Sequence, residues 1–341
     1  MLVKKIFVCE FITGGGLCGE PLPDSLAKEG ALMRDALLCD LSELNLNILS
    51  TFDVRVKKTA LQANIYAGFR AIKKDDDVWA IWTSLIEQAD EVLVIAPETD
   101  GVLLKFAQLT LSLGKIWLGC GCDAIEVCSD KLKTYQFLHD INLPVPTFSW
   151  QTFCDYQQKY PEVLFANDGK MIVKPIDGAG CVDTFVFDDV TSLSQFMTLD
   201  KQKSHIIQCF VKGESASFVM LCANNQAHLL CCNAQMIEYK NNQLHFKGVQ
   251  INAHKQHWDV FARIADYLLE NMPSLQGLVG VDVVFDENKM AVIEINPRLT
   301  TSYVGLRRAV GQNPAKLLLE AAVDANFIMP KINKNVVNIH V

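Results

Sequence analysis

GVDVVF (280–285) and AVIEINPR (291–298) are two short apolar runs, each interrupted by acidic or amide side chains, with a polar turn, Asp286 to Asn288, close between them. The pattern predicts an antiparallel hairpin over 278–285 and 289–296. Side chains two apart on a strand share a face, so Glu294 and Asn296 point the same way. If Asp282 lies across the ladder, two carboxylates and an amide oxygen converge. A hard cation such as Mg²⁺, with Mn²⁺ as the alternative, takes oxygen ligands of this kind and keeps positions open for phosphate oxygens. Ordinary solvated charges fit poorly, because the neighbours are apolar and a buried carboxylate without a partner is costly.

Upstream of this pair, MIVK (171–174) reads as a strand that closes on Lys174, followed by a turn containing Gly178 and Gly180. Small residues with exposed backbone N–H groups let such a turn lie over a polyphosphate while the lysine supplies a point charge. No Gly-Lys-Ser/Thr follows, so this is not a P-loop. Residues 177–182 are expected to form a lid over the phosphates. Lys131, in SDKLK (129–133), stands at the start of a helix predicted over 130–141, which NLPVP (142–146) ends. Alone it reads as a surface lysine. In HIIQCFVKGESASF (205–218) an apolar strand ends in Gln208, and a short connector leads to Gly213 and Glu214. Such a connector can offer backbone groups to an adenine edge and a carboxylate to a ribose. A plain link between strands is the other reading.

The order of these parts is more specific than any one of them. A lysine on a helix, a strand lysine with a glycine turn, the Gln208–Glu214 connector, a strand aspartate and then Glu-Ile-Asn resemble the ATP-grasp superfamily over about residues 115–325. The resemblance implies an ATP-grasp fold preceded by a Rossmann-like α/β domain, and a ligase that joins a carboxylate to an amine through an acyl-phosphate. It implies that Lys131 and Lys174 hold the α- and β-phosphates, that Gln208 and the Cys209–Val211 backbone meet adenine, and that Glu214 meets the ribose. Asp282, Glu294 and Asn296 would bind one or two Mg²⁺, and Arg298 would face the γ-phosphate or the acyl-phosphate. One position departs from the pattern: D-alanine–D-alanine ligases carry an arginine two residues before the strand aspartate, where this chain has Gly280. Three further stretches, CEFITGGG (9–16), EGALMRDALL (29–38) and EINPRLTTSYVGL (294–306), are similar to tyramine–glutamate ligases of methanofuran-type cofactor synthesis. That resemblance implies glutamate as the acid and tyramine or a tyrosine-like amine as the acceptor. Glu10 is then a candidate for the ammonium group, and Arg298, Arg307 or Arg308 for the glutamate α-carboxylate. The competing readings are another acid–amine pair, a phosphotransferase, and a nucleotide-binding regulator, which should have lost the metal ligands.

Before this region, strands at 4–9, 46–52 and 91–97 alternate with helices at 25–45, 76–89 and 98–113, which predicts a parallel α/β unit. The expected divisions are 1–115, a Rossmann-like domain; 116–205, an ATP-grasp subdomain with the glycine lid; and 206–341, the subdomain with the metal site. Helices near 302–309 and 313–326 complete the reading. The length of 341 residues suits two or three packed units. A net charge of −8 argues against generic nucleic-acid binding. No apolar run is long enough for a membrane span, and the short run after Lys4-Lys5 is expected to be a buried strand rather than a signal peptide. The twelve cysteines lack paired zinc-ligand spacing and are expected to be reduced thiols of a cytoplasmic enzyme. Partners are expected to be small molecules, with no nucleic acid and no membrane; the reading leaves room for a homodimer.

Overall fold

The computed structural model describes residues 3–56, 69–146, 148–151, 170–178, 181–199, 204–286 and 289–341. Its first part alternates strand and helix: β1 (Lys4–Glu10), α1 (Asp24–Ser42), β2 (Leu46–Asp53), β3 (Arg70–Ile72), α2 (Val78–Gln88), β4 (Glu91–Ile95), α3 (Val102–Ser112) and β5 (Ile116–Trp117). Every ladder in this sheet is parallel, and the strand order is β3-β2-β1-β4-β5. The near-continuous apolar runs of β1 and β4 follow from burial on both faces. On one face Trp82 of α2 is fully buried against Phe11 and Phe106, and its indole donates to Thr51 Oγ1 at 3.0 Å. On the other, Leu37, Leu38 and Leu41 of α1 cover Ile6 and Val8. The aspartates before α2 resolve into a cap: the Asp77 side chain accepts the Ala80 N–H. After β1 the chain makes a wide helical turn over Ile12–Gly16. Gly15 within it has φ of 110°, and a Cβ there would come within 2.6 Å of Ile72.

The chain continues through α4 (Cys122–Cys128), α5 (Lys131–Asp140), β6 (Phe148–Gln151), β7 (Met171–Pro175), β8 (Phe185–Phe187), α6 (Val190–Leu199) and β9 (His205–Cys209). It then forms β10 (Glu214–Ala223), β11 (Gln226–Lys240), β12 (Gln243–Ile251), α7 (Trp258–Asn271), β13 (Gly277–Phe285), β14 (Met290–Asn296), α8 (Tyr303–Val310), α9 (Pro314–Val323) and β15 (Val337–His340). These strands make one ten-stranded sheet in the order β14-β13-β10-β11-β12-β8-β7-β9-β6, with β15 added to β12. The two halves of that sheet are joined between β12 and β8 through the single pair Gln243↔Phe185. Both tight hairpins of the larger half turn on Asn-Asn. Asn224, Asn225, Asn241 and Asn242 all have φ between 51° and 60°, as the right-handed twist of a two-residue hairpin requires. β15 was not expected; its residues carry no strong alternation.

In the larger half α7 covers one face, where Phe261 stacks on Phe218 with ring centroids 5.4 Å apart. Leu306 of α8 and Leu317 and Leu318 of α9 cover the other, against Val219 and Leu221. Among the described residues no helix is long and apolar enough to cross a membrane. The eleven described cysteines are free thiols, most of them buried.

Candidate active site

Asp282 pairs directly with Glu294 across the β13–β14 ladder, and Gly280 pairs with Asn296. Paired residues of an antiparallel ladder project to one face. The two carboxylates and the amide therefore stand together, opposite Val281 and Ile295, which point into the core. Ile293 is the extra residue of a bulge at this point, between the Glu294 and Val292 pairs. Asn296 Nδ2 donates to Asp282 Oδ2 at 3.3 Å, and Gln235 Nε2 donates to Oδ1 at 2.8 Å. Burial pushes the Asp282 carboxyl up to about 7, and Glu294 beside it pushes the same way. The two carboxylates are half-buried side by side and repel each other, so positive charge is favoured beside them. Among the described residues no three His, Cys, Asp or Glu side chains converge. The donors present are two carboxylates and the Asn296 amide, a set of oxygens that suits a hard cation, which would complete its shell with phosphate and water. Half a turn of the Asn296 amide presents its oxygen instead of its nitrogen.

The two lysines reach this pair from the other half of the sheet. Lys131 Nζ lies 3.1 Å from Glu294 Oε1 and also donates to the Gly178 carbonyl. Its backbone N–H bonds to the Ile176 carbonyl at 2.9 Å, and Asp130 caps the helix start through Leu132 N and Lys133 N. Far from lying on the surface, Lys131 is buried. Lys174 is buried on β7. Desolvation pushes its ammonium down; Glu294 and Asp282 resist that shift, while Lys131 adds to it. The glycine turn is tied to the first sheet, since Thr99 Oγ1 donates to the Asp177 carbonyl at 3.0 Å. Gly178 stands over Pro175; Gly180 lies outside the described residues.

Gln208 is buried near the end of β9, and its Oε1 accepts no hydrogen bond. It lines a cleft with Lys131, Tyr135, Val145, Ile206 and Ile293. An unfilled buried acceptor beside flat apolar walls suits a ring that carries an amino group. Cys209 still pairs with Met171, and Val211 lies in the link to β10. Glu214 opens β10, is exposed, and has Oε2 3.6 Å from His254 Nε2.

Arg298 is clasped by Glu98, with Nε to Oε1 at 2.8 Å and Nη2 to Oε2 at 3.1 Å. Glu10 is buried, and its carboxylate accepts the N–H groups of Ile12 and Thr13 and the Thr13 hydroxyl. Arg307 is not brought to the carboxylate pair; its guanidinium spans Asp40 at 3.1 Å and Glu43 at 2.7 Å on α1. Arg308 is exposed on α8.

Three contacts were not anticipated from the sequence. Gln235 holds Asp282, Glu98 holds Arg298, and Glu29 of α1 accepts the Thr301 hydroxyl. A signal existed for two of them. Asn233 and Gln235 are polar residues two apart in the otherwise apolar stretch 229–237 of β11, and Glu98 follows a buried parallel strand at the end where ligands gather.

The chain matches two domain families. Residues 128–302 match the ATP-grasp domain, and residues 46–125 match the pre ATP-grasp 3 domain. The tyramine–L-glutamate ligase of Methanocaldococcus jannaschii is 28% identical over 331 residues, covering 94% of this chain and 90% of that protein. An ATP-grasp superfamily protein from Archaeoglobus fulgidus superposes with a TM-score of 0.68 at 23% identity, covering 99% of both chains. The L-amino acid ligase from Bacillus licheniformis superposes with a TM-score of 0.65 at 16% identity, covering 94% of this chain and 74% of that one. At such identities the last two speak to the fold.

Proposed function

The chain belongs to the ATP-grasp family and is an ATP-dependent carboxylate–amine ligase, and from that premise we propose that it joins L-glutamate to tyramine or a similar tyrosine-like amine. The observation that carries the reaction is the pairing of Asp282 with Glu294 beside two buried lysines. The substrate reading is supported by the named ligase, whose similarity extends along nearly the whole chain.

A carboxylate is a poor acyl donor, because oxide does not leave. Attack of a carboxylate oxygen on the γ-phosphorus of ATP breaks the bond to the β-phosphate oxygen and gives an acyl-phosphate and ADP. The amine then attacks the acyl carbon, phosphate departs, and the amine loses a proton to give the amide. Lys131 and Lys174 bind the α- and β-phosphates and offset the charge that moves onto the leaving ADP. Gln208 accepts the adenine amino group, the Cys209–Val211 backbone meets the ring edge, and Glu214 accepts the ribose hydroxyls. The turn at Asp177–Gly178 would lie over the phosphates and exclude water from the acyl-phosphate. Arg298 donates to the transferring phosphoryl group. Asp282, Glu294 and Asn296 hold Mg²⁺, which neutralises phosphate charge when bound.

The test is ADP release with ATP and Mg²⁺ in the presence of glutamate, amine, both or neither. Release that needs both substrates is the expected result. Release with one substrate alone points to a phosphotransferase, and none with any acid–amine pair points to a regulator.

A further inference from the structure

Arg298 follows β14, an edge strand of the large sheet, yet it is held by the other sheet. Glu98, three residues beyond β4, takes its Nε at 2.8 Å and its Nη2 at 3.1 Å. The Leu299 carbonyl takes Nη1 at 3.2 Å. Both side chains of the pair are largely buried, 13% exposed for Arg298 and 6% for Glu98.

A guanidinium has five N–H groups in one plane. Nε and one Nη2 hydrogen form a side edge, and Glu98 fills it with both carboxylate oxygens. One Nη1 hydrogen goes to Leu299. Two N–H groups are left, one on each terminal nitrogen, and they are parallel. That free edge has the spacing that receives two oxygens of a phosphate or carboxylate. The neighbourhood is the carboxylate pair: the Arg298 charge is felt at Asp282. An arginine with one bond to its surroundings swings through several rotamers. One gripped on its side edge by a carboxylate from a separate sheet has a single orientation.

We propose that Glu98 is a positioning residue, which grips the side edge of Arg298 and presents its end edge to the oxyanion of the reacting phosphoryl group. The inference rests on the ligase reading above. It gives the first α/β unit a direct part in the chemistry, since that unit supplies the grip. Rate then depends on the register between the two sheets, which the Asp177 contacts with Thr99 and Asp100 also fix.

The experiment compares Glu98→Gln, Glu98→Asp and Arg298→Ala with the parent for kcat, the KM of each substrate and melting temperature. Glutamine keeps the shape and one acceptor oxygen but cannot accept from both nitrogens. Glu98→Gln should lower kcat by about 10- to 100-fold, part of the loss seen when an oxyanion donor is removed outright. The KM for ATP should stay near the parent's, and kcat should fall by more than any stability lost from the unpaired guanidinium explains. Should Glu98→Gln fold poorly, Glu98→Asp, which draws the charge back by one methylene, should show the same split. Parent kcat in the glutamine variant, or losses of kcat that merely track lost stability in both variants, would overturn the inference. Arg298→Ala at the parent rate would instead remove Arg298 from the site and with it the ligase assignment of these residues.

Discussion

Lys131 Nζ lies 3.1 Å from Glu294 Oε1, so the helix that opens the lysine half of the sheet and the strand that carries the carboxylates meet through one ion pair. Both partners are mostly buried, with exposures of 8% and 14%. The position of Glu294 is thus fixed by its ladder partner Asp282 on one side and by a phosphate-binding candidate on the other.

Glu294→Gln keeps the shape of that side chain and its acceptor for Lys131. It should fold as the parent does and lose most Mg²⁺-dependent turnover, by roughly 100-fold or more, because one anionic ligand is gone. ADP release and thermal melting, measured together, check this. Turnover at the parent rate would remove Glu294 from the site.

Asp282 gives a pH dependence with a definite sign. Burial, above all, pushes its carboxyl up from 3.8 in the unfolded chain to about 7 in the fold. Between those values the folded state holds a proton that the unfolded state has released. Stability therefore falls as pH rises through this window, by at most about 1.4 kcal/mol per pH unit. Glu10, whose carboxyl burial also pushes up, adds a slope of the same sign at the acid end. Melting of chelator-treated protein should drop between about pH 5 and about pH 7, and Asp282→Asn should flatten most of that drop. An equal slope in the variant would show that another group titrates.

Gln208 is a site that costs stability. A buried acceptor without a donor is unfavourable by about 1–3 kcal/mol. Gln208→Met keeps the volume and removes the unmet oxygen. The variant should melt higher than the parent and bind ATP about tenfold more weakly. Calorimetric melting and a nucleotide titration read the two effects separately. Unchanged ATP affinity would detach Gln208 from adenine.

How much of this was visible beforehand follows from where the information lies. Apolar periodicity located β1, β4, α1 and the β13–β14 hairpin, because each buries a face along its whole length. Polar interruptions of those patterns marked Asp282, Glu294 and Asn296. Short edge elements such as β3, β5 and β15 bury little and left no pattern. Contacts between the two sheets were invisible, because no local rule connects Glu98 to Arg298, which is 200 positions away. Lys131 shows the same limit: it sits at a helix start like any surface lysine, and only the packing of α5 beneath the glycine turn buries it.

Gly280 stands where related ligases place an arginine, and the fold gives the reason. A Cβ at this position would lie 2.5 Å from the Thr300 methyl and 3.6 Å from Asn296 Cβ. The loop after β14 occupies the space that a side chain would need. Gly280→Ala should destabilise by about 1–3 kcal/mol, the usual cost of overpacking. Thr300→Ser, which removes the methyl, should recover most of that loss in the double variant, and a double-mutant cycle on denaturation midpoints measures the coupling. Additive effects would mean that Thr300 is not what excludes the side chain.

The amine is the most specific expectation. A tyramine-like acceptor brings an ammonium group and an aromatic ring, so it needs a carboxylate beside apolar surface. Glu10 is such a group: it ends β1 next to Phe11, it is buried, and its Oε2 would lie 2.6 Å from a Cβ on Gly30 of α1. Glu29, next to Gly30 in the chain, bonds Thr301 in the loop after β14, so α1 links Glu10 to the candidate site. The opposing reading is a cap. Glu10 already accepts from Ile12 and Thr13, and that alone accounts for the shape of the glycine turn. The two readings separate kinetically. If Glu10 receives the ammonium group, Glu10→Gln should raise the KM for tyramine about tenfold, in line with the loss of one charge-assisted hydrogen bond, and leave the KM for glutamate and ATP near the parent's. If Glu10 only caps the turn, melting should fall while all three KM values stay together. The assay is γ-glutamyl amide formation from glutamate with tyramine, tyrosine or an amine lacking the phenol. Faster turnover of an unrelated acid–amine pair would overturn the substrate proposal and leave the ligase standing.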